Sequence, residues 1–189
     1  IMQISCVQTA SLSALCYALN QLLCPLTDGN RDVADVRAAC RHIEKRIPAV
    51  GAGTGILREG GGVTLRFVHA DLSSVAEPTP EPYRPYENGV TTHGVITRCE
   101  PPRLLAFTWG GSPGEPSEVT FELSPQGDDT RLVLTHRKLA SRAGMIDVAG
   151  GWHTHLGVLS ARLAGREPGP FWSALLRWEA DYQARIPAQ

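Results

Sequence analysis

Charge of one sign, paired cysteines and a membrane-length apolar run are all missing from this chain. Its 18 Lys and Arg stand against 19 Asp and Glu, for a formal net charge of −1. No basic stripe is interleaved with aromatics, which argues against a nucleic-acid partner. The five cysteines are Cys6, Cys16, Cys24, Cys40 and Cys99, an odd number with four crowded into the first 40 residues. That is not a disulfide framework, and without a C-x-x-C pair a structural zinc site is poorly supported. A reducing cytoplasm is the simplest location.

The apolar stretch Leu12 to Leu23 is too short, and at Asn20 and Gln21 too polar, to span a bilayer. It also lacks the basic flank of a secretory signal, so neither membrane insertion nor export is expected. H-E-x-x-H and the P-loop are absent. The triplet Gly60-Gly61-Gly62 and the loop Gly51 to Gly55 both precede strand-like sequence, the wrong setting for a phosphate cradle. Nothing calls for a cofactor. There is no internal repeat and no low-complexity tract, and the sequence leaves the oligomeric state open, a homodimer included.

What is there is a change of texture near residue 60. Before it, Leu12, Leu15, Cys16, Leu19, Leu22 and Leu23 predict a helix over 10–23. Val33, Val36, Cys40, Ile43 and Ile47 predict a second, capped by Asn30 or Asp32 and stopped by Pro48. After it, Val63, Leu65 and Phe67 alternate in a strand. Residues 73–89 hold four prolines and read as a long surface loop of the kind that forms lids or rims. Strands over 93–99, 103–109, 117–123 and 130–137 follow on short turns, an antiparallel meander. Leu105, Phe107 and Trp109 share one face, as do Val119, Phe121 and Leu123, then Leu132, Leu134 and His136. That apolar face needs a cover. Trp152, Leu156, Leu159 and Leu163, between Gly150-Gly151 and Gly165, supply a helix for it. A last helix begins near Pro168 with the stripe Phe171, Leu175, Trp178 and Tyr182.

The candidate chemistry is histidine. His153 and His155 sit two apart on a helix and point roughly 200° apart, so they cannot share a metal ion. One should face the core or a cavity, the other solvent. His136 closes an otherwise apolar row and could pair with Asp71 or Asp147, although nothing in the spacing requires it. Phe67, Phe107, Trp109, Phe121 and Trp152 converge if the helix covers the sheet. They can fill a solid core or line a small-molecule cavity.

Ordered motifs carry a resemblance. R-E-G-G-G-V-T-L-R-F, H-G-V-I-T-R-C-E-P-P-R-L-L-A-F-T-W-G, S-E-V-T-F-E-L, T-R-L-V-L-T-H and G-G-W-H-T-H-L are similar to bacterial proteins homologous to the activator of the Hsp90 ATPase. Those belong to the START/Bet v 1-like superfamily, also called SRPBCC. The likeness covers about residues 58–186. It implies an α+β helix-grip fold, a curved antiparallel sheet packed around a long C-terminal helix with a hydrophobic cavity between, plus one extra C-terminal helix. Relatives bind lipids, polyketides or hormones, some are cyclases or dehydratases, and eukaryotic namesakes activate a chaperone. The family supplies no catalytic set.

The implied reading is a small hydrophobic-ligand binding protein, with Phe67, Phe107, Trp109, Phe121, His136, Trp152 and His155 lining the cavity. The last helix and the 73–89 loop would close its ends. A cyclase, dehydratase or hydrolase using His136 or His155 as base is the alternative, or a regulatory module contacting partners through that loop. Residues 1–57 lack the family's opening and form an atypical, helical segment ahead of a domain at 58–189. With no charge before Asp28, they read as a shifted frame or misplaced start. The grip would then lack its first edge strand and two small helices, leaving an open sheet edge.

Overall fold

The computed structural model describes residues 2–8, 58–100, 103–110, 116–127 and 129–188. Within them a six-stranded sheet forms from β1 (Met2–Gln8), β2 (Gly62–Phe67), β3 (Val90–Glu100), β4 (Leu104–Trp109), β5 (Ser117–Gln126) and β6 (Asp129–Arg137), in the order β1-β6-β5-β4-β3-β2. Every neighbour is antiparallel. Two helices follow, α1 (Arg142–Leu163) and α2 (Phe171–Arg185). The fold is the helix grip that the motifs implied.

Period-two alternation explains the inner face. Phe107, Val119, Phe121, Leu132, Leu134 and His136 are all at most 3% exposed, in register across β4, β5 and β6. The opposite face is not uniformly wet, since the cross-strand partners Ala106 and Thr120 are also buried. The β5–β6 hairpin is tighter than the five-residue turn expected from Pro125 to Asp129. Gln126 pairs with Asp129, and Gly127 takes a left-handed φ of 62° that a two-residue turn of this hand favours. In β3, Gly94 lets the chain pass β4 closely. A Cβ there would sit 1.9 Å from the Thr108 carbonyl oxygen, next to the irregularity between Ile96 and Arg98.

Two expectations are corrected. The sheet edge expected to stand open is occupied: Met2–Gln8, part of the segment expected to be helical, pairs along β6 from Met2↔His136 to Gln8↔Thr130. The helices expected over 10–23 and 30–47 lie outside the described residues. Second, α1 does not open at Gly150-Gly151. It starts two turns earlier, where the Ser141 side chain caps it by accepting from the Gly144 N–H at 3.1 Å. Two adjacent glycines inside a helix cost about 1 kcal/mol each against alanine. Gly150 is held there by packing, because a Cβ would lie 2.7 Å from Cγ of Glu179 on α2.

The helices pack antiparallel. Arg142 at the start of α1 donates to the Gln183, Ile186 and Pro187 carbonyls at the end of α2. One turn past Gly150, His153 lies flat on Trp178, centroids 3.5 Å apart, and its Nδ1 is 3.1 Å from the Tyr182 hydroxyl. The two histidines diverge as predicted, but His153 meets α2 where solvent was expected. Trp152, Leu156 and Leu159 face the sheet and are buried. Among the described residues, no helix is long and apolar enough to cross a membrane.

Candidate functional site: an aromatic pocket between sheet and helices

The last residues of strands β2 and β4, the middle of α1 and the start of α2 meet around a half-open pocket of about 330 Å3. Strand ends are where this wall must come from, since deeper residues of the inner face are covered by α1. Its rings touch in a closed circuit. Phe67 meets Trp109 at 5.7 Å between centroids, Trp109 meets Trp152 at 5.1 Å, and Trp152 meets His155 at 6.4 Å. His155 then meets Phe171 at 5.2 Å, Phe171 meets His69 at 4.7 Å, and His69 returns to Phe67 at 6.3 Å. Edge-on and offset contacts of this kind suit aromatic quadrupoles and hold the wall stiff.

Four of the seven residues expected to line a cavity are on this wall: Phe67, Trp109, Trp152 and His155. Phe107, Phe121 and His136 are not. Phe107 and Phe121 lie one step deeper, stacked at 6.1 Å, with Trp109 and Trp152 between them and the opening. Residues that the sequence reading did not place there complete the wall: His69 from a 3-10 turn after β2, Tyr83 and Tyr86 from the Pro-rich segment, and Trp172 and Leu175 from α2. The adjacent aromatic pair Phe171-Trp172, just after Pro170, was the signal available for the part of α2 that reaches this wall. His69, Phe171 and Trp172 also border a second hollow of about 250 Å3 under residues 73–77.

The Pro-rich segment is pinned down. Glu77 accepts from the Trp172 N–H at 3.0 Å, the Ser173 N–H at 3.2 Å and the Ser173 hydroxyl, so a loop carboxylate caps α2. Tyr83 donates its hydroxyl to Glu179. Burial, with that bond and the Glu179 charge, pushes the Tyr83 phenol far up. Burial likewise raises Glu179, opposed by the Tyr83 bond and reinforced by Asp147. Asp147, exposed at the mouth yet flanked by protein, is raised by desolvation too.

His136 is fully buried and used structurally. The Trp152 indole Nε1–H can only donate, and it does so to His136 Nδ1 at 3.1 Å. The proton of this neutral imidazole is therefore on Nε2, which donates to Ser117 Oγ at 2.8 Å. The Ser117 hydroxyl in turn donates to the Trp109 carbonyl oxygen at 3.0 Å. A base that activates serine must accept its proton, and here the direction is reversed. The Asp147 dyad considered for His136 forms through no hydrogen bond described, and the Asp71 side chain lies outside the described residues. Burial lowers its pKa to about 4, which keeps it neutral near pH 7.

Two other imidazoles face the pocket, His69 and His155, with centroids 5.6 Å apart. Burial first, and then the proximity of His155, lowers His69 to about 4. Burial lowers His155 as well, against the Gly151 backbone bond. Among the described residues no group of three His, Cys, Asp or Glu converges as a metal site would require.

A family model described as Activator of Hsp90 ATPase homolog 1-like protein matches residues 82–164, which run from the Pro-rich segment through α1. Among solved structures, the protein encoded by gene BPP1335 of Bordetella parapertussis is 50% identical, over 71% of this chain and 71% of that one, with a TM-score of 0.58. CalU16 from Micromonospora echinospora is 21% identical, over 98% of this chain and 88% of its own, with a TM-score of 0.57. The Aha1 dimer from Colwellia psychrerythraea is 17% identical, over 86% and 94%, with a TM-score of 0.50. No curated protein matches. The two last share the fold alone, while the family match falls on β3 to β6 and α1 and leaves β2 and α2, which also supply the pocket wall, outside it. The chain belongs to the Activator of Hsp90 ATPase homolog 1-like family of the SRPBCC superfamily.

Proposed function

We propose that this chain is a cytoplasmic binding protein for a small hydrophobic molecule, held in the pocket between the sheet, α1 and α2. The observation that carries this is the pocket itself: a concave, ring-walled space of about 330 Å3 with a few polar groups aimed inward. Pockets of this size and lining are typical of small-molecule sites. Two features favour binding over catalysis. His136 is spent on the Trp152–Ser117 chain, and no hydrogen bond described joins a pocket imidazole to a carboxylate that could orient it as a base. The Pro-rich segment serves as a wall tied to α2 through Glu77 and Tyr83, which disfavours a free contact loop.

The test is mass spectrometry of the purified protein under native and then denaturing conditions. A retained apolar compound released on unfolding is the expected result. A pocket that retains nothing from the expression host, and takes up no apolar probe, counts against the reading. The relative from Colwellia is a dimer in its solution structure. Sedimentation of this chain tests whether a homodimer extends to it.

A further inference from the structure

The pocket's electrostatics narrow its ligand beyond "hydrophobic", provided the binding reading above holds. His155 carries the argument. Its Nδ1 lies 2.8 Å from the Gly151 carbonyl oxygen, which can only accept, so the proton of the neutral ring is on Nδ1. Nε2 is left with a lone pair. That atom is buried without a hydrogen-bond partner, in a residue only 6% exposed. Protonation would convert Nε2 to a donor, and burial opposes it. A buried acceptor with no donor is rare in a finished structure, and in a residue that lines a pocket it is a group that a guest completes once a neighbouring ring gives way to it. His69 repeats the pattern, its Nδ1 likewise buried and without a partner.

The surroundings set the rest of the ligand. The edges and faces of Phe67, Trp152 and Phe171 flank His155 at 5.2 to 6.4 Å between centroids, so the body of the guest lies among rings. Among the described residues no Lys or Arg lines the pocket, and the one carboxylate there is Asp147. A carboxylate or phosphate guest would lose its hydration with no cation in return from these residues. We propose that the pocket takes an uncharged, ring-bearing molecule with a hydroxyl or N–H group, and that His155 Nε2 accepts the hydrogen bond of that group.

Four probes of one shape test this by calorimetry on the intact protein at pH 7.5: naphthalene, 2-methoxynaphthalene, 2-naphthol and 2-naphthoate. The expected order puts 2-naphthol about tenfold tighter than the first two, the worth of one hydrogen bond to a buried acceptor. The carboxylate binds weakest. In His155→Leu the preference for 2-naphthol over 2-methoxynaphthalene disappears. If that variant does not fold, the wild-type series decides alone. Equal affinities for 2-naphthol and 2-methoxynaphthalene overturn this inference, His155 then being completed by water, and leave the pocket reading standing. A preference that survives in folded His155→Leu, or 2-naphthoate binding best, also overturns it. Failure of all four probes overturns the pocket reading itself.

Discussion

Gly150→Ala and Gly157→Ala place the same substitution on the same helix and should move stability in opposite directions. Alanine gains about 0.8–1 kcal/mol over glycine in a helix interior. At Gly157 nothing lies within 4 Å of the new methyl group, so the gain is realised. At Gly150 the methyl carbon falls 2.7 Å from Glu179 Cγ, with Glu179 N at 3.4 Å and its Cα at 3.6 Å. Glu179 cannot swing away freely, because its carboxylate holds the Tyr83 hydroxyl. Overpacking of this kind costs about 1–3 kcal/mol. The helix gain is common to both variants, so their difference isolates the clash. Gly150→Ala should therefore lie about 1–3 kcal/mol below Gly157→Ala, roughly 2–12 °C in Tm for a chain of this length. Urea and thermal unfolding measure it. Removing the obstructing carbon with Glu179→Ala should restore the gain, so that Gly150→Ala becomes stabilising in that background. Equal stability of the two glycine variants, or a penalty undiminished by Glu179→Ala, refutes the account of why α1 carries a glycine where α2 crosses.

Ser117→Ala should cost about 1–3 kcal/mol by leaving the His136 Nε2–H buried without an acceptor, and should combine less than additively with Trp152→Phe. Additive losses in a double-mutant cycle would show that the chain is not one unit. Glu77→Ala should lose about 0.5–2 kcal/mol by uncapping α2 and should speed proteolytic cleavage within residues 73–89. Unchanged cleavage speaks against the pinning. On acidification, His69 and His136 hold folded pKa values near 4, below the unfolded 6.5, so the unfolded chain binds the extra protons between those limits. Their contribution is complete above about pH 6.5 and falls as pH drops towards 4, by up to about 1.4 kcal/mol per unit for a fully buried ring. The raised Asp147 and Glu179 carboxyls act in the opposite direction. Urea unfolding from pH 7.5 to 4.5 should thus show a steeper loss in wild type than in His136→Asn, and parallel curves would contradict it.

The side each strand residue takes was legible because alternation is a local property of extended chain. Leu105, Phe107 and Trp109 point inward together, as read. Depth is another matter. Trp109 and Phe107 share a face and differ by one pleat, yet only Trp109, at the end of β4, reaches the pocket. Which of the two does so depends on how far α1 and α2 extend over the sheet, and period two carries nothing about that. His136 shows the same limit. Its place at the end of an apolar row was visible, but its role rests on Trp152, sixteen positions later, supplying an N–H.

The start of α1 was misread for a related reason. Gly-Gly is a weak helix former, and local propensity puts a boundary there. What overrides it is Glu179, 29 residues downstream on a helix whose own stripe was read correctly. Neither helix pattern names the other, because only the packed helices show that Gly150 is the crossing point. The missed wall residues follow the same logic. His69, Tyr83 and Tyr86 come from 3-10 turns with no period to betray them, and Trp172 stands one residue off the stripe of α2. The elements that make the container obey periodicity. Many of the groups that line it sit where periodicity ends, at strand tips, turns and helix starts. There the backbone is free to aim a ring or an imidazole inward, as it does at His69, Tyr83 and Phe171, and no local period announces it.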